Sequence, residues 1–280
     1  MRLNLQTRSV ILLAPHNRKA GTPFRNVCSN DFLRDQLQTE LQRLRGSVYL
    51  RDGAIRPSDL SIDGRHHLAV DDESWHLVLM DEKGSIGGCA RYRVHPYSVR
   101  FEDLGVATSA IARSADWARH FQMAVEAELR TARQMQLPYV EMGGWVMADH
   151  FRGTRQCLLS VLASYAFVRL IPGALAICPA TERNGSEAIL RRMGGRLLDV
   201  FGEVIPPYFD AGYGCKMQML RFDARTPLPR YEENVRQLMA SLIEAPVICT
   251  DTPGHPAPRT KFATVPAPYS NPVDAFATVV

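Results

Sequence analysis

Apolar residues along this chain recur with the two periods that distinguish helices from strands. Phe32, Leu33, Leu37, Leu41, Leu44 and Val48 predict an amphipathic helix running to about Tyr49, with Ser29 or Asn30 as its N-cap. Apolar runs at 75–80 and 85–93 flank Asp81-Glu82-Lys83-Gly84 and predict a strand–turn–strand hairpin. A second helix is predicted over 113–136, beginning near Ser114 and stopping before Pro138. A strand at 139–147, a turn at 151–157, an apolar helix to about Leu170 and a buried strand at 174–178 follow. A short helix opens at Asn184 and closes in Gly194-Gly195. Two closing strands are predicted at 196–204 and 215–222, joined by the linker 206–214, and a last helix at 231–244. Residues 1–27 are read as irregular apart from a strand at 9–14. The polar, Gly/Asp-rich segment 50–73 reads as a long loop of the kind often given to function.

This order predicts an N-terminal extension over 1–28, one domain over 29–249 and a tail over 250–280. Seven of the 18 prolines lie at or after Pro246, where apolar periodicity fades, so the tail is expected to be disordered. An apolar share of 46% is enough for a sizeable core. The net charge of +4 suits an anionic cofactor or an acidic protein partner and is too small to argue for nucleic acid. The six cysteines form no C-x-x-C pair, which fits free thiols in a reducing cytoplasm. No signal-peptide core and no bilayer-length apolar run is present, so a cytoplasmic protein without a membrane span is expected. His66, His67, Asp63, Asp71 and His76 have no tetrahedral metal spacing, and no metal is expected. Ser109, Ser160 and Ser164 lie outside any G-x-S-x-G elbow, which excludes a serine hydrolase.

The run Phe151-Arg152-Gly153-Thr154-Arg155-Gln156-Cys157 carries the sharpest chemical signal. Such a turn at a helix start presents free backbone N–H groups and the positive end of the helix dipole, a setting for pyrophosphate or a phosphopantetheine phosphate. That points to acyl transfer from a carrier thioester.

The order of elements over roughly 29–244 resembles the GNAT N-acyltransferase fold. The resemblance implies an α/β (α+β) fold with a central mixed, mostly antiparallel sheet flanked by helices. The family carries [Gln/Arg]-x-x-Gly-x-[Gly/Ala] at the turn; here Arg152 matches the first position, while Arg155 and Cys157 stand where the small residues would be. The resemblance therefore implies that Met147, Arg152, Gly153, Thr154, Arg155, Gln156, Cys157 and Asn184 surround the carrier. That carrier would be acyl-CoA, acetyl-CoA or the phosphopantetheine of an acyl carrier protein. The family's catalytic Tyr in the next helix is replaced by Arg191.

Within that fold the chain resembles the acyl-homoserine-lactone synthases and the long-chain N-acyl amino acid synthases. Arg45 and Tyr49 match an Arg–aromatic pair near the end of the first helix, and Asp63, Asp71 and Asp72 match acidic loop positions. Gly88-Cys89-Ala90-Arg91 matches Gly-x-x-Arg, and Glu141 and Trp145 match the ends of Glu-x-Ser-Arg-Phe. The lactone synthases' Arg is Gly144 here and their Trp after the first helix is absent, which favours the N-acyl amino acid branch. The implied activity is transfer of an acyl group to the amine of an amino acid or similar small metabolite. Arg45, Tyr49, Asp71 and Arg91 would contact that substrate, and Glu141, Trp145 and Val146 would lie at the reacting centre.

Each of these residues also has a structural reading. Glu141, with Arg91 as its expected partner, is either a base or amine anchor or one half of a buried ion pair joining two strands. The glycines of 143–147 suit either an oxyanion-binding backbone or a bulge. Arg45 and Arg91 would hold a carboxylate or pair with Asp71 or Asp72. The arginines near the turn face phosphates, an acidic carrier protein or solvent. Helix 113–136 and Phe167 would wall an acyl pocket or fill the core. The alternative to an enzyme is a non-catalytic domain that binds acyl-CoA or a carrier protein as a sensor.

Overall fold

The computed structural model describes residues 10–16, 20–21, 23–171 and 173–250. Apart from Thr250, the tail expected at 250–280 lies outside them. The elements are β1 (Val10–Leu13), β2 (Asn26–Ser29), α1 (Asp31–Arg51), β3 (Trp75–Met80), β4 (Ile86–His95) and α2 (Ala118–Met135). They continue with β5 (Tyr139–Met147), α3 (Arg155–Leu170), β6 (Leu175–Thr181), α4 (Ser186–Arg192), β7 (Arg196–Leu197), β8 (Asp199–Val200) and β9 (Glu203–Val204). The last are β10 (Tyr208–Asp210), β11 (Cys215–Asp223), α5 (Glu232–Ile243) and β12 (Pro246–Cys249).

The strands form one mixed sheet in the order β10-β11-β6-β5-β4-β3-β1-β12-β2, with β7 paired to β11. Most pairs are antiparallel, while β5–β6, β1–β12 and β12–β2 are parallel. Side chains alternate between the faces, as the strand period requires. Leu12, Leu77, Tyr92, Val140 and Ala176 join α3 and α5 in one core. Leu13, Val78, Cys89 and Val146 pack under α1, and Tyr139, Leu175, Ile177 and Met217 pack under α2. The sheet is thus covered by α3 and α5 on one face and by α1 and α2 on the other.

Asn30 caps α1, its side chain accepting from the Leu33 N–H at 2.9 Å. Besides its apolar stripe, α1 buries Arg34, Gln38, Gln42 and Arg45. These four are spaced to lie along one helical face, which turns to the segment 60–74. Gly46 makes that approach possible: a Cβ there would stand 2.6 Å from the Gly64 carbonyl oxygen and 2.9 Å from Leu60 Cδ2.

The structure differs from the sequence reading in four places. Strands β2, β10 and β12 were not predicted: β10 lies within the linker expected at 206–214, while β2 and β12 are four residues long and pair only with strands distant in sequence. The stretch expected as helix from 113 follows a 3-10 segment ending at Arg113, runs as a turn over 115–117 and becomes α-helix at Ala118. The strand expected over 196–204 is broken into β7 and the β8–β9 hairpin. There Phe201 (φ 52°) and Gly202 (φ 83°) make the two-residue turn with both φ values positive that such a hairpin needs. Helix α2 and Phe167 belong to the cores rather than to a pocket wall.

The close approach at Gly46 predicts that Gly46→Ala destabilises the fold. The overpacking cost of roughly 1–3 kcal/mol exceeds the helix-propensity gain of ~1 kcal/mol. Urea denaturation checks this, and a stabilised variant would contradict the packing described.

Candidate active site

The cavity opens where the sheet splits. Among the described residues, β5 and β6 pair only from Tyr139–Leu175 to Glu141–Ile177. Beyond Glu141 the two strands separate, and residues 142–147 of β5 face Cys178, Pro179, Ala180 and Thr181 of β6 across a cavity of about 620 Å³. The edge of β5 turned toward β6 therefore has no strand partner there. Gly144 (φ 60°) adopts the left-handed conformation within this stretch, and the β4–β5 register shifts between Cys89 and Arg91. A smaller chamber of about 40 Å³ lies beyond the cleft and shares Arg91, Met142, Gly143, Trp145, Cys178 and Leu190 with the main cavity. Its remaining lining is largely apolar, from Ala90, Val161, Val168, Ala176 and Phe222 among others. Trp145 borders both spaces, its indole held by Nε1 donating to Ser160 Oγ at 2.9 Å. Val146 is buried in the strand core but also lines the cleft.

One buried carboxylate organises the cavity floor. Asp71 Oδ1 accepts from Arg45 Nη1 at 3.0 Å and from Arg91 Nη1 at 3.2 Å. Its Oδ2 accepts from Arg45 Nη2 at 2.5 Å, Gln42 Nε2 at 3.1 Å and the Leu68 N–H at 3.1 Å. The Asp71 carbonyl oxygen lies 2.9 Å from His76 Nε2. Burial alone would push this carboxyl up, but the hydrogen bonds and charges of Arg45, with His76 and Arg91, hold it well below the carboxylate range. Arg45 and Asp71 are fully buried and do not line the cavity. The structural reading thus holds for Arg45, whose other contact is the His66 carbonyl oxygen at 2.5 Å. Arg91 lines the cavity, with its side chain 18% exposed. Tyr49 lines it too, edge-on to His66 and Tyr213. Burial pushes the Tyr49 and Tyr213 hydroxyls up, so both are neutral donors at physiological pH.

The expected Glu141–Arg91 pair does not form: Asp71 takes Arg91, while Glu141, on the same face of the sheet, meets His95 and the backbone of 105–106 instead. Glu141 Oε2 lies 2.9 Å from His95 Nε2 and accepts from the Gly105 N–H at 3.0 Å, while Oε1 accepts from the Val106 N–H at 2.8 Å. Burial raises the carboxyl, but His95 and the two backbone donors outweigh it and leave the group below its ordinary value. Glu141 lines the cavity and fixes the turn Gly105–Thr108, which forms part of the same wall.

At the mouth, Met147, Arg152, Gly153, Cys157 and Asn184 line the cavity, while Thr154, Arg155 and Gln156 do not. Thr154 is the N-cap of α3, its Oγ1 accepting from the Gln156 N–H at 3.2 Å, so one of the free amides expected there is taken. Gly87 lets β4 approach this turn closely, since a Cβ there would overlap the Phe151 ring, and Gly88 lets it approach β5, where a Cβ would stand 2.7 Å from Met147 Sδ. Sequence reasoning did not single out Asp52, His95, Tyr208, Asp210 or Tyr213, although all but His95 line the cavity. The aromatic and glycine residues of 206–214 were the available signal for the last three.

Neither a family model nor a curated relative matches the sequence. Solved structures match the fold. BjaI, a CoA-dependent acyl-homoserine lactone synthase determined with SAM and isopentyl-CoA, superposes with a TM-score of 0.51 at 12% identity, over 90% of this chain and 95% of that one. MesI, another CoA-dependent acyl-homoserine lactone synthase, gives 0.47 at 13% identity over 86% and 99%. FeeM, an N-acyl amino acid synthase from uncultured soil microbes, gives 0.45 at 10% identity over 70% and 87%. This chain has the mixed, mostly antiparallel fold of the GNAT-like acyltransferases. Among the described residues no helix is long and apolar enough to cross a membrane.

His76 supplies a pH test of the buried network. Its ring is buried and pushed down to about 4, chiefly by desolvation. The unfolded chain, with a histidine pKa of about 6.5, binds the proton first. Stability therefore rises with pH through this window and is lost as pH falls from about 6.5 to about 4, by up to ~3 kcal/mol. Denaturant titrations at several pH values should show this slope, and His76→Gln should flatten it. An equal slope in the variant would place the effect elsewhere.

Proposed function

We propose that this protein is an acyltransferase that moves an acyl group from a carrier thioester to the amine of an amino acid or similar carboxylate-bearing metabolite. The carrier is CoA or the phosphopantetheine of an acyl carrier protein. The observation that carries this reading is the splayed β5–β6 cleft, which has a cationic floor at Arg91, an apolar chamber behind Trp145 and the Arg152–Gly153 turn at its mouth. A thioester arm entering at the turn would lay its acyl chain past Trp145 toward the apolar chamber. The unpaired edge of residues 142–147 offers backbone N–H groups to the carbonyl oxygen, which gathers negative charge as the amine adds. The C–N bond forms, the C–S bond breaks and the departing thiolate takes up a proton. With a thiol pKa of ~8.5, that departure does not require the tyrosine missing at Arg191.

Arg91 rather than Arg45 is the carboxylate anchor, because only Arg91 reaches the cavity. The depressed Glu141 suits the role of amine anchor better than that of base, since a carboxylate with a low pKa stays charged beside an ammonium group. Solvent then removes the amine proton. Glu141 also holds the 105–108 wall in place. The alternative, a sensor that binds the carrier without turnover, is favoured by the substituted glycines of the turn and is separated by the same assay.

Thiol release from acyl donors in the presence of mixed amino acids tests the reading. The wild type should release thiol and form an N-acyl product, and Glu141→Gln should lower kcat/KM by about 100-fold. Full turnover by a folded Glu141→Gln protein would remove the residue from the mechanism, and binding without turnover by the wild type would establish the sensor. Trp145→Ala should shift the preferred acyl chain to greater length.

A further inference from the structure

Asp52 closes α1 where that helix meets the mouth of the cavity. Its Oδ2 accepts from Arg152 Nη2 in a close contact and from Asn184 Nδ2 at 3.4 Å, and its Oδ1 accepts from Arg51 Nε at 2.9 Å. The segment is pinned from both sides of the cleft. Arg51 Nη1 donates to Asp149 Oδ1, and Arg183 Nη1 donates to the carbonyl oxygens of Asp52 at 3.3 Å and Gly53 at 3.5 Å. Arg183 Nη2 reaches the Gly214 carbonyl oxygen. The Asp52 side chain is 11% exposed. Burial raises its pKa, but Arg51 and Arg152 outweigh that and keep it anionic at neutral pH. The two side chains at the mouth best suited to grip a phosphate thus already grip a fixed carboxylate.

A phosphate seated at this mouth must compete with the Asp52 carboxylate for Arg152 and Asn184, and a donor with more phosphate groups to seat loses more by that competition. The arm of a carrier protein brings one singly charged phosphodiester to this mouth. CoA brings a diphosphate and a ribose phosphate. We infer that Asp52 is the donor-selecting residue, its carboxylate on Arg152 and Asn184 admitting the phosphopantetheine arm of an acyl carrier protein and disfavouring CoA. This inference rests on the acyl-transfer reading and names its donor.

The test compares the full-length wild type, Asp52→Asn and Asp52→Glu with acyl-CoA and acyl-carrier protein bearing the same acyl chain. The wild type should favour the carrier protein in kcat/KM by at least about tenfold. Asp52→Asn should reduce that ratio by about tenfold through a lower KM for acyl-CoA, and Asp52→Glu should keep it. A wild type that prefers acyl-CoA, or a ratio unchanged in Asp52→Asn, overturns the inference. Calorimetric titration of CoA into wild type and Asp52→Asn decides the same point without turnover. A gain of about tenfold in affinity supports the role of Asp52 even if no donor is consumed, an outcome that would sink acyl transfer instead. Equal affinities overturn the role of Asp52 even if both donors react. Matching thermal unfolding of the three proteins, or wild-type behaviour of Asp52→Glu, separates selection from misfolding.

Discussion

The Asp71 carboxylate is buried beneath α1 with five donors on its two oxygens, and the rest of the site is arranged around it. Those donors come from α1 (Gln42 and Arg45), from the preceding loop (Leu68) and from β4 (Arg91), and the Asp71 backbone also meets His76 of β3. Removing one member of such a buried pair costs about 3–5 kcal/mol, because the partner charge is left without compensation. The constraint also has a functional direction. Arg45 gives both terminal nitrogens to Asp71, whereas Arg91 gives one, so a guanidinium with remaining donors faces the cavity. One fully buried arginine thereby positions a second, accessible one.

The cavity itself follows from strand geometry. A parallel pair that ends after three residues leaves a wedge between two strands of a sheet, and side chains from both faces close it. Gly143 and Gly144 let the backbone of β5 pass directly over Arg91: a Cβ on Gly144 would stand 3.3 Å from Arg91 Cβ. The wedge thus brings together a backbone edge rich in donors, a cation and an apolar chamber. Transfer of an acyl group to a carboxylate-bearing amine needs these three features. In the proposed reaction, Asp52 at the entrance selects the donor and Glu141 on the wall holds the ammonium group.

Elements with a strong local period were legible in the sequence. The hairpin, β5 and α1 each carry enough alternating or helical spacing to be placed, whereas α3 begins at Arg155, inside the segment 151–157 read as a turn. Strands β2 and β12 were not legible, because four residues hold too little pattern and their pairing is decided by residues more than two hundred positions away. The site shows the same division. Arg45, Tyr49, Arg91 and Glu141 stood out through the family resemblance, but which carboxylate each arginine would meet depends on how α1 rolls onto the sheet. His95 lies two positions beyond Arg93 on β4, and its bond to Glu141 exists only through the β4–β5 register. Asp52 gave no signal, since its partners Arg152 and Asn184 are brought to it only by the cleft.

The central claim is that Arg91, oriented by Asp71, holds the carboxylate of the amine acceptor. The measurement that tests it most directly is the KM of an amino acid acceptor and of its decarboxylated amine in the wild type and in Arg91→Gln. The account predicts at least about a tenfold rise in KM for the amino acid with little change for the amine. Equal loss on both acceptors, or no change on either, would contradict it.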